Sequence, residues 1–390
     1  MRRWRHIRKS SKPLFAALKA APAAMLIQSA VANADDTYRS SAGIEFRLTT
    51  VADGLESPWS LAFLPGGDML VTERDSGDLR LIRDGKLQPG AIQGTPKVAA
   101  QGQGGLLDVA VHPDFASNKF VYLSYAALGE GGRGTEVMRA RLEGGALTTP
   151  EVIFRVEPKT SGSAHYGSRL LFAPDGTLFV TLGDRFSFMK QAQNTANHIG
   201  TVVRINDDGS VPQDNPFAGD ADARPEIYSY GHRNSQGIAL RPGTNEIWQH
   251  EHGPRGGDEV NILKPGANYG WPAITYGIDY SGAIISDKKE APGMEQPVVY
   301  WVPSIAPSGM AFYDGDKFPA WRGDLFVGAL AGAHLRRLKL DGQKVVEQEP
   351  LLEALDERIR DVRSGPDGYL YIVTDDPGDG RVLRLEPAAS

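Results

Sequence analysis

The sequence predicts an all-β fold, a six-bladed β-propeller with four-stranded antiparallel blades. A short apolar strand, a turn with Pro, Gly or Asp, and a second β-rich strand recur six times along the 390 residues. The first strands begin near residues 60, 108, 169, 237, 309 and 361, so they lie 48, 61, 68, 72 and 52 residues apart. These spacings suit four-stranded blades with insertions. No segment shows a competing helical periodicity.

Each of the six units reads as a hairpin. The units span 57–82, 104–126, 168–185, 235–253, 307–330 and 359–376. Their "PGG" and "PDG" turns combine a proline, which fixes φ, with a glycine that accepts positive φ. A further strand follows in several units, as "LRLI", "VMRARL", "TVVRIN", "HLRRLKL" and "VLRLEP". Two stacked β-sandwiches are the alternative, but six copies of one signature are hard to divide between them.

A propeller must also be closed, because an open edge strand would pair with other chains. The segment "IEFRLTT" at 44–50 precedes the first complete unit. We expect it to complete the blade that ends in "VLRLEP", so that the two ends of the ring meet.

The N-terminal segment is read as a leader. Residues 1–34 carry seven basic residues and no acidic one, followed by an Ala/Leu-rich stretch that ends in "AVANA". This is typical of a secretory signal peptide with a small-x-small cleavage site. We therefore expect residues 35–390 to form a single propeller domain in a periplasmic or secreted protein. A basic cytosolic tail is the alternative.

Charge and cysteine content exclude several classes of function. Loss of residues 1–34 would change the net charge from −6 to −13, which disfavours nucleic acid as a partner. The absence of cysteine excludes disulfides, thiolate catalysis and Cys-ligated zinc. No later apolar run is long enough for a membrane helix.

Loops that enter the first strand of each blade gather at one end of a propeller channel, so their polar residues are the candidate site. These residues are Gln103, His165, Arg233, Asn234, Gln236, Arg358 and Arg360. His165 precedes an apolar strand, and Asp184 ends the neighbouring one. Such a pair can form a general base held by a carboxylate, although it can also be a structural hydrogen bond. The arginines and amides suit a planar anionic or carbonyl-rich ligand, whereas a solvated charged edge is the alternative for Arg358 and Arg360.

The loop "EHGPRGGDEVN" at 251–261 is interpreted as a cation site. Ca²⁺ prefers carboxylate and backbone carbonyl oxygens, which Asp258, Glu259, Gly253 and Pro254 can offer. Zinc at His250 and His252 is disfavoured, because a third ligand at standard spacing is lacking. A salt-bridged loop is the remaining alternative.

Five motifs in order, "HYGSRLLF", "YGHRNSQG", "EHGPRGGDEVN", "NYGWP" and "RIRDV..GPDGYLY", resemble those of the soluble aldose sugar dehydrogenases that depend on pyrroloquinoline quinone (PQQ). These are relatives of soluble glucose dehydrogenase and of sorbosone dehydrogenases, and the likeness spans about residues 45–387. It implies a six-bladed propeller with PQQ and calcium at the channel mouth. It also implies oxidation of the C1 hydroxyl of an aldose to the lactone, with hydride transfer to C5 of the quinone and electrons passed to an external acceptor.

The resemblance assigns roles to individual residues. His165 resembles the base, Asp184 its supporting acid, and Arg233 the cation beside the quinone oxygens. The implied cofactor-binding residues are Gln103, Arg233, Asn234, Tyr280, Ala331, Gly332, Arg358 and Arg360. The implied calcium ligands are Gly253, Pro254, Glu259 and Tyr269, the last through its backbone.

One segment departs from the family pattern. Some relatives carry a lysine where this chain reads "GALAGAHLRRL", so residues 331–333 can offer only backbone contacts and one PQQ carboxylate would be less well neutralised. Two other functions stay open: a calcium-dependent lactonase-type hydrolase, and a secreted binding propeller without catalysis. We expect a monomer or a dimer that passes electrons from an aldose to an external acceptor.

Overall fold

The computed structural model describes residues 37–388, and the predicted leader lies outside them. The chain begins with two strands, β1 Thr37–Arg39 and β2 Glu45–Leu55. Twenty-three further strands follow in the described residues, and with β2 and β1 they form six antiparallel sheets.

The first three blades are formed in chain order. Blade 1 consists of β3 Pro58–Phe63, β4 Met69–Glu73, β5 Leu79–Arg83 and β6 Lys86–Leu87. Blade 2 consists of β7 Leu106–Val111, β8 Phe120–Gly129, β9 Gly132–Glu143 and β10 Ala146–Arg155, with the short helix α1 Phe115–Asn118 between β7 and β8. Blade 3 consists of β11 Gly167–Phe172, β12 Leu178–Leu182, β13 Thr201–Ile205 and β14 Ile227–Tyr230.

The second half of the chain forms blades 4 to 6. Blade 4 consists of β15 Ser235–Leu240, β16 Ile247–Glu251, β17 Asp258–Ile262 and β18 Val299–Trp301. Blade 5 consists of β19 Pro307–Phe312, β20 Leu325–Ala329, β21 His334–Asp341 and β22 Lys344–Leu351. Blade 6 consists of β23 Ile359–Ser364, β24 Leu370–Thr374 and β25 Gly380–Pro387, followed in space by β2 and β1. Short 3₁₀ turns lie at Met189–Gln193, Pro319–Trp321 and Glu353–Leu355.

The predicted fold class is confirmed, including the closure of the ring. The six first strands are β3, β7, β11, β15, β19 and β23; each contacts the next, and β23 contacts β3. β2 pairs with β25 in antiparallel register, with Phe46 opposite Pro387 and Leu48 opposite Leu385. The sixth sheet has five strands rather than four, because β1 forms a hairpin with β2.

The core is divided into six hydrophobic layers, one between each pair of neighbouring blades. Second strands such as β4, β12 and β20 are buried along their whole length. Since successive side chains of a strand point to opposite faces, a blade packed on both faces needs apolar residues at most positions of such a strand. The short continuous apolar runs in the sequence follow from this packing.

Below the mouth, the channel is crossed by a central charge cluster of Asp108, Arg169, Asp361 and Arg363. Arg169 on β11 lies 2.9 Å from Asp361 on β23 and 3.5 Å from Asp108 on β7, measured between Nη1 and Oδ1. Its Nε and Nη2 donate to the carbonyls of Gln236 and Arg360. One side chain therefore joins blades 2, 3, 4 and 6.

A glycine makes room for this cluster. A Cβ on Gly309 of blade 5 would lie 2.1 Å from Oδ1 of Asp361, so any side chain there would displace the carboxylate. Among residues 37–388, no helix is long and apolar enough to cross a membrane.

Candidate functional site

A cavity of about 290 Å³ opens at the mouth of the channel, above the central charge cluster. The predicted residues that line it are Gln103, Asn234, Gln236, Ala331, Arg358 and Arg360. Residues that were not predicted also line it, among them Trp59, Arg74, Tyr166 and His252. Trp59 stacks on the Arg169 guanidinium at 4.0 Å, so the floor of the cavity rests directly on the cluster below.

His165 and Asp184 form a buried pair at this mouth. Nδ1 of His165 lies 2.6 Å from Oδ1 of Asp184, and the two residues are 5% and 1% exposed. The other carboxylate oxygen accepts a hydrogen bond from Nε1 of Trp271 at 2.8 Å. Because the carboxylate engages Nδ1, it fixes the proton there and leaves the lone pair on Nε2. The arrangement is that of a general base with an oriented imidazole.

His165 is also held through its backbone. His165 has φ of +52°, a conformation that non-glycine residues rarely adopt. Its backbone N–H donates to Oε1 of Gln103 at 2.8 Å, and its carbonyl accepts from Nη1 of Arg185 at 3.1 Å. Gln103, predicted as a cofactor contact, thus lines the cavity and also positions the base loop.

The pKa of His165 is lowered, chiefly by burial. Asp184 raises it through the hydrogen bond, while the positive charges of Arg233 and Arg185 lower it further. The net direction keeps the ring neutral, which is the form that can accept a proton.

Arg233 lies beside this pair, without a carboxylate partner for its guanidinium among the described residues. Its Nη1 donates to the carbonyls of Gly253 and His252 at 2.6 and 3.0 Å. The guanidinium lies 5.3 Å from the Trp271 ring. A buried cation bound only to neutral groups can stabilise negative charge that develops on a ligand.

A second positive region, the arginine wall, consists of Arg74, Arg358 and Arg360 with their partners Asp75 and Asp375. Nε of Arg358 and Nε of Arg360 donate to the two oxygens of Asp375 at 2.7 and 2.9 Å. Arg74 pairs with the half-exposed Asp75 at 2.9 Å. Burial alone would raise the pKa of Asp375, but the two arginines hold it below its usual range. Three guanidinium groups share two carboxylates, so the wall has an excess positive charge.

The opposite imbalance occurs in an acidic pocket between Glu251 and Glu259, which face each other across β16 and β17. The space between its walls is about 10 Å³, the size of one water molecule or ion. Within residues 37–388 neither carboxylate forms an ion pair with a lysine or arginine; Glu251 accepts from the Arg233 backbone N–H and lies 3.3 Å from His232 Nδ1. Burial and the charge of Glu251 raise the pKa of Glu259 well above its usual value.

The remaining predicted metal ligands lie around this pocket. Gly253 and Tyr269 line it with Glu259. The Tyr269 hydroxyl donates to the Ile262 carbonyl at 2.6 Å, so its side chain is engaged and only its backbone carbonyl could serve a cation. Asp258 lines neither the cavity at the mouth nor the acidic pocket. Its carboxylate is instead occupied by hydrogen bonds that it accepts from Gly253 N, Ser304 Oγ, Ile305 N and Ala306 N.

Several predicted residues are less directly placed. The pKa of the buried His250 is lowered to about 3, and His252 Nε2 lies 2.5 Å from the Pro307 carbonyl; in the described part of the chain no three His, Asp or Glu side chains group as metal ligands. Tyr280 lies on the exposed rim rather than in the cavity. The N–H groups of Ala331 and Gly332 donate to the Ile305 carbonyl, so they are not free for a ligand. The Pro254 carbonyl stays a prediction.

A simple rule would have placed Arg74, His252 and Asp375 at the mouth, and it also covers the predicted Asp184 and Ala331. In a hairpin, the loop that leaves the second strand lies beside the loop that enters the first. Arg74, Asp184, His252, Ala331 and Asp375 all follow second strands. Glu251 could have been inferred from pairing of β16 with β17. Trp271 lies in the insertion between β17 and β18, where no periodic pattern places it.

Comparison with known proteins gives one consistent result. The family model for glucose/sorbosone dehydrogenases matches residues 55–384. Aldose sugar dehydrogenase YliI of Escherichia coli (strain K12) is 47% identical over 346 residues, covering 87% of this chain and 92% of that protein. A crystal structure described as glucose dehydrogenase is 52% identical with a TM-score of 0.84, covering 88% of this chain and 99% of its own. The PQQ-bound aldose sugar dehydrogenase of Streptomyces coelicolor is 30% identical with a TM-score of 0.74, covering 87% and 98%.

Proposed function

This chain belongs to the glucose/sorbosone dehydrogenase family, and from that premise we propose that it is a PQQ-dependent aldose sugar dehydrogenase. The reaction would oxidise the C1 hydroxyl of an aldose to the lactone, with electrons then passed to an external acceptor. The observation that carries the proposal is the His165–Asp184 pair, with Nε2 left to accept a proton, beside an arginine-lined cavity.

The chain's own residues would perform the proton chemistry. His165 Nε2 would take the proton of the C1 hydroxyl, and Asp184 would stabilise the imidazolium that forms. Trp271 and the backbone N–H of Phe186 hold Asp184 at 2.8 Å each, so the carboxylate stays oriented during the transfer. Arg233 would stabilise the negative charge that develops beside it. PQQ, when bound, supplies the two-electron oxidant.

The cavity suits such a cofactor in charge. PQQ carries three carboxylates and an ortho-quinone, and the arginine wall has an excess positive charge on one side of the cavity. Arg358 and Arg360 would bind its carboxylates, as the resemblance implies, and Arg74 adds a third guanidinium to the same wall. Arg74 would supply the positive charge that a lysine supplies in some relatives, because residues 331–333 carry no charged side chain.

Calcium fits the acidic pocket for a separate reason. Glu251 is buried and Glu259 is partly buried. Two such neighbouring carboxylates without a lysine or arginine partner are costly, and a hard divalent cation with backbone carbonyl ligands would compensate them. Glu259, Glu251 and the Tyr269 carbonyl would hold this ion. Gly253 and Pro254 remain the proposed carbonyl donors for calcium beside the cofactor, with Arg233 sharing the Gly253 oxygen.

The proposed cellular setting rests on the sequence alone. We propose that residues 1–34 export the protein to the periplasm or the medium, where an aldose and a soluble or membrane-bound acceptor are both accessible. We propose that the exported protein is a monomer or a dimer.

The test is dye reduction by the purified protein with glucose and other aldoses, with and without added PQQ and Ca²⁺. We expect turnover only when both are present. Absence of activity, together with an unchanged PQQ absorption spectrum, would contradict the proposal and favour a calcium-dependent lactonase or a binding propeller.

A further inference from the structure

An aromatic rim lies above the base. Phe186 and Tyr280 are 52% and 57% exposed, yet their rings are nearly parallel, with centroids 6.3 Å apart and an interplanar angle of 18°. The Phe186 ring also contacts the His165 ring in an edge-to-face arrangement, with centroids 5.2 Å apart and an interplanar angle of 74°. An exposed aromatic side chain in contact with a buried catalytic group is unusual for a surface residue, and exposed apolar patches commonly mark binding sites.

The backbone holds Phe186 in this position at a cost. Arg185 and Phe186 have φ values of +58° and +65°, and a bulky residue in this region is strained. The strain is sustained by hydrogen bonds. The Phe186 N–H donates to Asp184 at 2.8 Å, and Arg185 donates to the carbonyls of Ala164 and Gly162. The turn thus fixes the aromatic ring relative to the base.

From this geometry we infer that Phe186, with Tyr280 beside it, is the platform on which the pyranose ring of the aldose stacks. The inference rests on the proposed function and extends it to a residue that fixes the choice of substrate. His165 Nδ1 is engaged by Asp184, so the C1 hydroxyl must approach Nε2. His165 is 5% exposed and Phe186 lies against its ring, so a sugar that approached this imidazole from the Phe186 side would contact the phenyl ring.

The chemistry of a sugar ring suits this surface. A pyranose presents C–H groups on its faces and hydroxyls around its edge. A flat aromatic ring removes such a face from water without competing for the hydroxyls. Polar groups for the edge are close by, because Arg233 Nη2 lies 3.5 Å from the Tyr280 hydroxyl. The platform therefore selects cyclic aldoses over open-chain polyols.

The experiment separates sugar binding from catalysis. In the PQQ- and Ca²⁺-loaded protein, Phe186→Ala should raise KM for glucose at least about tenfold, the effect of losing apolar contacts to a substrate. kcat should change little, because the contact is the same in the ground state and the transition state. Phe186→Tyr keeps the ring and should restore KM. Val346→Ala is the matched control, since Val346 is 55% exposed on β22 and should have no effect.

A second readout needs no turnover. Calorimetric titration of glucose into the loaded His165→Gln protein, with and without Phe186→Ala, should show the same loss of affinity. Unchanged affinity and KM would overturn the inference. A KM change for the dye alone would assign the rim to the electron acceptor, and loss of kcat alone would assign Phe186 to the support of Asp184. If the wild-type chain oxidises no aldose, the proposed function fails, while the titration still decides whether Phe186 binds sugar.

Discussion

The central charge cluster and the channel mouth contain the same types of charged residue, but the charges are balanced in the cluster and unbalanced at the mouth. In the cluster, two aspartates and two arginines compensate one another. At the mouth, charges are left unbalanced in both signs. The arginine wall has three cations for two carboxylates, and the acidic pocket has two carboxylates without a lysine or arginine partner in the described chain.

The difference distinguishes charged residues that stabilise the fold from charged residues that we expect to bind ligands. A buried charge is tolerated when a partner compensates it, so the cluster is complete without a ligand and ties four blades together. An anion against the arginines and a cation between the glutamates would compensate the unbalanced charges of the mouth. Substitutions in the two regions should therefore be distinguishable by what they cost: unfolding free energy in the cluster, ligand affinity or turnover at the mouth.

The largest effect is expected from Arg169→Met. Removal of the guanidinium leaves Asp361 and Asp108 with only part of their compensation, and breaking a buried ion pair costs about 3–5 kcal/mol. Chemical denaturation of the unloaded protein measures this loss. Arg83→Met, which breaks the exposed pair with Asp68, is the control and should leave the unfolding free energy nearly unchanged.

Equal stability of the Arg169→Met and Arg83→Met proteins would contradict the stabilising role that we assign to the central charge cluster. In that case the central charge cluster would contribute no more than a surface pair, and the channel would be held by the hydrophobic layers alone.

His165→Gln should show the converse behaviour. Loss of the general base should lower kcat at least about 100-fold, which is about 2.7 kcal/mol of activation free energy. The unfolding free energy should change far less than in Arg169→Met, and PQQ should still bind. Steady-state kinetics and PQQ absorption titration measure both quantities. Turnover equal to that of the wild type would remove His165 from the mechanism.

Glu259→Gln tests the acidic pocket. Calcium at tenfold its Kd should stabilise the wild-type protein by about 1.4 kcal/mol, and the variant should lose most of this gain. Without calcium the variant should be at least as stable as the wild type, since it removes the repulsion between Glu259 and Glu251. Thermal unfolding with Ca²⁺ and with a chelator measures the difference. An equal calcium response in both proteins would place the ion elsewhere.

The sequence predicted the fold well because most strands of a blade are neighbours along the chain. Each hairpin carries its own turn signal, and the strand at 44–50 has only one free edge to pair with. The polar loops before the first strands were found for the same reason. His165, Asn234 and Arg360 precede or begin apolar strands, and the propeller brings such positions to one mouth.

What the sequence did not predict depends on contacts between blades. Trp271 reaches Asp184 across 87 positions, and Arg169 reaches Asp361 across the channel. Neither partner can be read from periodicity, because insertions of different length separate the units. Arg74 and Asp375 were missed for a simpler reason, since the loops after the second strands of blades 1 and 6 were not considered.

The smallest effect is expected from Arg74→Gln. Arg74 pairs with the half-exposed Asp75, so water screens its charge and its contribution to cofactor binding should be about 1 kcal/mol, or about fivefold in Kd for PQQ. The unloaded protein should keep its stability, because Asp75 is solvated and also accepts from Ser57 Oγ. Arg83→Gln, on the exposed edge of the same blade, should leave the PQQ affinity unchanged. An Arg74→Gln protein with wild-type PQQ affinity would confine the cofactor's carboxylates to Arg358 and Arg360. The excess charge of the arginine wall would then serve the approach of the anion rather than its binding.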